Sequence, residues 1–118
     1  MSDATPKLIE VEDLRLGETA ARYEGADFGG TVSFFITDHP KDKGPDLHRH
    51  PYDETFVVRA GRARFTAGDE TIEAGPGQIV FVPANAWHGF KGASDEMLQM
   101  VCIHPNERVV QEEKADAD

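Results

Sequence analysis

The chain has 118 residues, of which 39% are hydrophobic, so it can build one packed core but has no room for a second domain. Its formal net charge is −10, from 22 acidic and 12 basic side chains. The electric field of this negative charge repels phosphate backbones and anionic lipid surfaces. We therefore expect one domain over residues 1–118 that binds neither nucleic acid nor membranes.

The start of the chain shows no export signal. Residues 1–10 lack a basic region followed by an apolar stretch, and no apolar segment approaches the length that spans a bilayer. Cys102 is the only cysteine, which excludes an internal disulfide and gives no reason to prefer an oxidising compartment. We expect a cytoplasmic protein.

Short apolar runs separated by turn residues follow one another along the chain. Residues 8–16 fit either an edge strand or a short helix. Eleven glycines and seven prolines lie between the later runs, as in β domains with tight turns. We expect roughly eight to ten short strands in all, some of them less certain than others. The clearest cover residues 30–37, 55–60, 62–67, 70–73, 79–82, 86–91 and 96–103.

This pattern predicts an all-β fold, a small antiparallel β-barrel or sandwich in which no long helix is needed. We expect the core barrel over about residues 28–105, flanked by an N-terminal strand. The acidic tail, residues 111–118, is expected to be frayed.

Four side chains carry the chemistry that we expect. Alternate residues of a strand face the same side, so His48 and His50 present both imidazoles to one face while Arg49 faces the other. Glu54 lies at an even offset from His50 and returns a carboxylate to that face if the intervening segment stays near extended. Pro51 predicts a bulge, bend or strand edge there.

His88 lies far along the sequence, and only closure of a barrel would bring it opposite the other three residues. Imidazole nitrogens with one carboxylate oxygen suit first-row divalent ions, and the absence of a cysteine pair excludes a structural zinc site of the thiolate type. Three neutral imidazoles and one carboxylate leave a divalent ion with a net charge of about +1, which favours a small anion or an enolate as ligand.

At these residues the sequence resembles the cupin superfamily. The first motif of that family, a glycine, H-x-H, a glutamate and a further glycine, matches Gly44, His48, His50, Glu54 and Gly61, with the first glycine nearer the histidine than usual. The second motif matches Gly77, Pro83 and His88, with Asn85 and Gly92 where the family has a glycine and often an asparagine. Asparagine tolerates a left-handed backbone, so we expect the turn at Asn85 to be kept.

The resemblance implies a jelly-roll fold, or double-stranded β-helix, in which His48, His50, Glu54 and His88 are ligands of one metal ion. The family's metals include iron, manganese, nickel, zinc and copper. It also implies a catalytic role for Glu54, as a general base once it leaves the metal.

Three functions stay open at this point. The first is a metal-dependent oxidoreductase of the dioxygenase type, acting on a small organic acid, phenolic or dicarbonyl compound. The second is a non-redox isomerase, lyase or decarboxylase. The third is a ligand-binding or sensing module without turnover, since fold does not fix function.

Other residues receive weaker interpretations. Phe56 and Phe90 share strand parity with Glu54 and His88, so they either line the substrate cavity or simply fill the barrel. His39 and His104 each precede a proline at a strand end and are expected to be exposed or loop-capping. A homodimer is expected through residues 8–11 and the outer faces at Val57 or Trp87.

Overall fold

The computed structural model describes the backbone of residues 4–117 and the side chains of residues 4–115. In that range the chain forms strands β1 to β10 and one terminal helical turn, α1, with short 3-10 turns at Val11–Leu14 and Gly25–Phe28. The strands are Ala20–Glu24, Ser33–His39, His48–Arg49, Glu54–Ala60, Ala63–Ala67, Glu70–Ala74, Ile79–Val82, His88–Gly92, Leu98–His104 and Glu112–Glu113, and α1 is Lys114–Ala117.

The strands pair into two five-stranded antiparallel sheets, with the orders β1-β2-β9-β4-β7 and β10-β3-β8-β5-β6. Consecutive strands often lie in different sheets, as in a jelly roll. The expected all-β architecture is confirmed, although pairing among the described residues gives two sheets rather than a closed ring of strands.

The core lies between the two sheets because apolar residues alternate along their strands. In β4 the buried positions are Glu54, Phe56 and Val58, and in β5 they are Ala63 and Phe65. The Phe56 and Phe65 rings meet edge to face with centroids 4.9 Å apart, and both side chains are almost fully buried. Aromatic pairs of this kind stabilise the core beyond the area they bury.

Two backbone positions shape the loops beside the expected site. Asn85 has a φ of +67°, so the left-handed turn expected before β8 is present. Gly44 approaches β8 closely, and a Cβ there would lie 2.1 Å from the carbonyl oxygen of Phe90. Glycine at this position therefore lets the loop before β3 lie directly against β8.

Most predicted strands are found within three residues of their expected bounds, and Ile79–Val82 matches at both ends. The expectation for residues 8–16 is settled as a 3-10 turn at Val11–Leu14 rather than a paired edge strand. Strand β1, Ala20–Glu24, was not predicted, because its alanines and charged residues carry little β signal.

The tail is a correction. Residues 111–118 were expected to be frayed, but Glu112 and Glu113 pair with Arg49 and His48 of β3. Asp118 lies outside the described residues. No helix in the part of the chain that the structure describes is long and apolar enough to cross a membrane.

Candidate metal centre

Four buried side chains from both sheets meet between them. His48 on β3 and His88 on β8 are directly paired across one sheet, and Glu54 begins β4 in the other. His50 lies in the link between β3 and β4. One ligand atom from each residue lies within 4.8 Å of all the others, so the structure brings together the four residues predicted from the sequence.

Backbone carbonyls fix the orientation of the three imidazoles. The Nδ1 atoms of His48, His50 and His88 each lie 2.8 Å from a carbonyl oxygen, of Asp46, Val110 and Ala86 respectively. A carbonyl can only accept, so each Nδ1 carries the proton and donates it. In the neutral rings each Nε2 is then a bare lone pair, which is the form that binds a metal ion.

The Nε2 atoms of His50 and His88 both face one oxygen of Glu54, and only the His88 contact has hydrogen-bond geometry. Oε1 of Glu54 lies 3.0 Å from Nε2 of His50 and 3.1 Å from Nε2 of His88. Despite the short distance, the His50 contact lacks hydrogen-bond geometry, and Nε2 of His50 is buried without a partner. Several electron-pair donors converging on one point repel each other unless a cation lies among them. The set therefore fits a divalent transition-metal ion.

The titration behaviour of the site also favours cation binding. Burial lowers the pKa of His48, against the opposing hydrogen bond to Asp46, so the neutral ligand form persists to lower pH. Burial by itself would raise the pKa of Glu54, but its contacts, the one with His104 first among them, outweigh burial and hold that pKa far below its usual range. Glu54 is thus an anion at neutral pH.

His104 is a second correction. It was expected to be exposed or loop-capping, but its side chain is fully buried and its Nε2 lies 3.1 Å from Oε2 of Glu54. Its Nδ1 lies 2.6 Å from the hydroxyl of Tyr52. Strand parity contained the missed signal, because His104 follows Leu98, Met100 and Cys102 on the buried face of β9. A proline after the histidine outweighed that signal.

A cavity of about 650 Å³ borders the site. His48, Glu54 and His104 contribute to its wall, and so do Phe56 and Phe90, the two residues that were expected to line it or to fill the barrel. Both rings also pack in the core, so each contributes to the cavity wall and to the filling of the barrel.

His39 lines the same cavity. It was expected to be exposed, and this is wrong, since the side chain is only 8% exposed and packs edge to face on Phe90. Burial lowers its pKa. Like His104, it ends a strand on the buried face, here that of β2.

Sequence comparisons find related proteins. A family model described as "Cupin domain" matches residues 34–104. An uncharacterized protein of Streptomyces coelicolor is 38% identical over 58 residues, which are 49% of this chain and 55% of that protein. The 1-methylthio-D-xylulose 5-phosphate methylsulfurylase of Rhodospirillum rubrum is 28% identical over 72 residues, which are 61% of this chain and 46% of that enzyme. The chain thus spans about half the length of these curated relatives.

Solved structures share the fold. Oxalate decarboxylase from Bacillus subtilis superposes with a TM-score of 0.79 at 18% identity, over 88% of this chain and 30% of that one. The formate complex of Lactobacillus farciminis oxalate decarboxylase gives 0.77 at 19% identity, over 90% and 35%. At identities of 18% and 19%, these superpositions show a shared fold alone. With a matching family model over more than half its length, the chain belongs to the cupin domain family.

Proposed function

We propose that the protein is a metal-dependent enzyme of the dioxygenase type, acting on a small and largely apolar organic acid, phenol or dicarbonyl compound. In this proposal His48, His50, Glu54 and His88 hold one divalent ion, which is iron, manganese, nickel, zinc or copper, and a redox-active member of that set serves oxidation. One observation carries the proposal: a buried set of three imidazoles and one carboxylate borders an apolar cavity.

The bound ion would supply Lewis acidity, redox capacity and open coordination positions. The protein's own contribution is orientation, because carbonyls aim the three imidazoles and His104 holds one oxygen of Glu54. Oε1 of Glu54 is the oxygen that faces the ligand histidines. As an anionic oxygen at the cavity wall, Oε1 would also be an acceptor for a proton from a substrate hydroxyl or acidic C–H group.

The walls of the cavity support a substrate with an apolar body. Phe35, Phe56 and Phe90 supply aromatic surface, and the volume of about 650 Å³ falls in the range of pockets for drug-sized ligands. Lys43 is the one cationic side chain in the described lining, and it is exposed. These walls favour one anionic or enolisable group at the ion over a small dianion held by several cations.

Non-redox chemistry is the second candidate. The similar structures named above are oxalate decarboxylases, so a decarboxylase, isomerase or lyase is compatible with the same residues. The weakly cationic cavity makes oxalate itself a poor substrate candidate. A ligand-binding or sensing role without turnover is the third candidate, and only a turnover assay separates it from the other two.

The test is oxygen uptake by protein loaded separately with iron, manganese, nickel or copper, over a panel of phenols, dicarbonyls and hydroxy acids. The proposal expects oxygen consumption that ceases in Glu54→Gln and persists in Glu70→Gln, a matched change at an exposed position of β6. Substrate conversion without oxygen would favour the non-redox candidate. Binding without conversion under either atmosphere would favour the sensing role.

The cytoplasmic location and the homodimer also stay proposals. Trp87 is less suited to an interface than expected, because Arg49 and Lys114 lie over its ring at 4.3 and 4.7 Å. Ile79 and Phe81 are 65% and 59% exposed on the edge strand β7, so they suit a two-fold contact better. Sedimentation at micromolar concentration should give twice the 13.0 kDa chain mass, and a single monomeric species would contradict the dimer.

A further inference from the structure

We infer that His104, aligned by the hydroxyl of Tyr52, is a positioning residue that holds one oxygen of Glu54 so that the other faces the metal site. The inference deepens the proposed function and rests on its metal site. It assigns roles to two residues outside the four ligands.

A directed chain of polar contacts runs from the backbone to the carboxylate. The N–H of Val110 donates to the Tyr52 oxygen at 3.1 Å. The Tyr52 hydroxyl keeps its own proton, which it donates to Nδ1 of His104 at 2.6 Å. Nε2 of His104 then carries the proton of the neutral ring and faces Oε2 of Glu54 at 3.1 Å.

The ring of His104 is thereby the opposite tautomer of the three ligand imidazoles. In His48, His50 and His88, Nδ1 donates to a carbonyl and Nε2 is bare. In His104, Nδ1 accepts and Nε2 donates. Although its ring centroid lies only 4.6 Å from that of His50, His104 presents a proton where the ligands present a lone pair. The hydroxyl of Tyr52 therefore gives His104 a different tautomer from the ligand histidines.

The contact between His104 and Glu54 is buried, so its loss is not compensated by solvent. His104 and Glu54 are 1% and 3% exposed, so water does not replace a lost donor freely. Without the Tyr52 hydroxyl, His104 is free to move its proton to Nδ1, which turns a bare Nε2 toward Oε2. Two lone pairs then repel, Glu54 loses its fixed orientation, and His104 becomes a competing ligand.

The test uses the intact chain and Co²⁺ as the probe, with affinity from competition against a chromophoric chelator and ligand geometry from the visible absorption bands. Tyr52→Phe should weaken Co²⁺ binding by about 10- to 100-fold and change the bands, which is the usual cost of losing a group that orients a ligand. Tyr23→Phe is the matched control, since Tyr23 stacks between Phe28 and Phe34 on β1, and it should behave as wild type.

Two variants at position 104 separate positioning from mere packing. His104→Gln keeps an N–H donor and should retain most of the affinity and the wild-type bands, whereas His104→Leu should lose both. Thermal melts identify any variant that fails to fold. If His104→Leu does not fold, the inference is judged on Tyr52→Phe and His104→Gln. Wild-type affinity and bands in both Tyr52→Phe and His104→Leu would overturn the inference alone. Failure of the wild type to bind any divalent ion would overturn the proposed metal site as well.

Discussion

Deleting residues 109–118 should weaken metal binding while the two sheets still fold. The segment contributes no ligand, yet the carbonyl of Val110 accepts the hydrogen bond that orients His50, and its N–H donates to Tyr52. Strand β10 also pairs with β3, which carries His48. The matched control is deletion of residues 115–118, which leaves Val110 and β10 in place.

The size of the effect follows from these contacts. Loss of a group that orients a metal ligand costs about 10- to 100-fold in affinity. The buried N–H of His50 loses its acceptor, and an unsatisfied buried donor costs about 1–3 kcal/mol of folding stability. The exposed ion pair between Arg49 and Glu112 adds at most about 1 kcal/mol. We therefore expect a folded chain with reduced stability and weaker metal binding.

Isothermal titration with Co²⁺ or Mn²⁺ measures the affinity, and circular dichroism with a urea titration measures fold and stability. The longer deletion should lose affinity by about 10- to 100-fold. The shorter deletion should match the full chain. Equal affinity for both deletions, with the longer one folded, would refute the argument that backbone groups of the tail orient His50.

Stability of the metal-free protein in EDTA should fall as the pH drops, because burial lowers the pKa of His48 and His39 below 6.5 in the folded state, so the unfolded chain binds protons first. The loss should begin near the unfolded value of 6.5 and be smaller in His39→Gln. Glu54, with a pKa lowered from 4.5, adds a second loss below about that pH. Urea unfolding at a series of pH values checks the sign, and stability that rises between pH 7 and pH 5 would contradict it. Separately, Phe65→Ala should lower the free energy of unfolding by about 3–5 kcal/mol, because the ring is fully buried. Ile72→Ala on the adjacent strand β6 should lower it much less, because Ile72 is 36% exposed. Equal urea midpoints for the two variants would count against this placement of the core.

The sequence predicted the fold class and three of the four candidate ligands because these depend on local patterns. Strand parity places His48 and His50 on one face, and the even spacing returns Glu54 to it. Turn chemistry marked the strand boundaries, and Asn85 takes the left-handed conformation that its type suggested. His88 was assigned through the second motif, since parity alone says nothing about distant strands.

The corrections concern contacts between segments that are distant in the sequence. His104 and His39 were judged by the proline that follows each, although their strands continue the buried face to the last residue. The tail was judged by its charge, although Glu112 pairs with Arg49 across β10 and β3. Local composition describes what a segment prefers alone, and tertiary pairing overrode that preference in each case.

The sequence by itself therefore determined an all-β chain with a metal-binding motif, because alternation and turn chemistry are encoded residue by residue. Only the tertiary structure decided which ring nitrogen carries the proton in His50 and in His104. That choice depends on which group faces each ring: the carbonyl of Val110 accepts from His50 and the hydroxyl of Tyr52 donates to His104, across 60 and 52 positions of sequence. Hydrogen-bond partners so far apart are set by how the sheets and the tail pack, which no local pattern specifies.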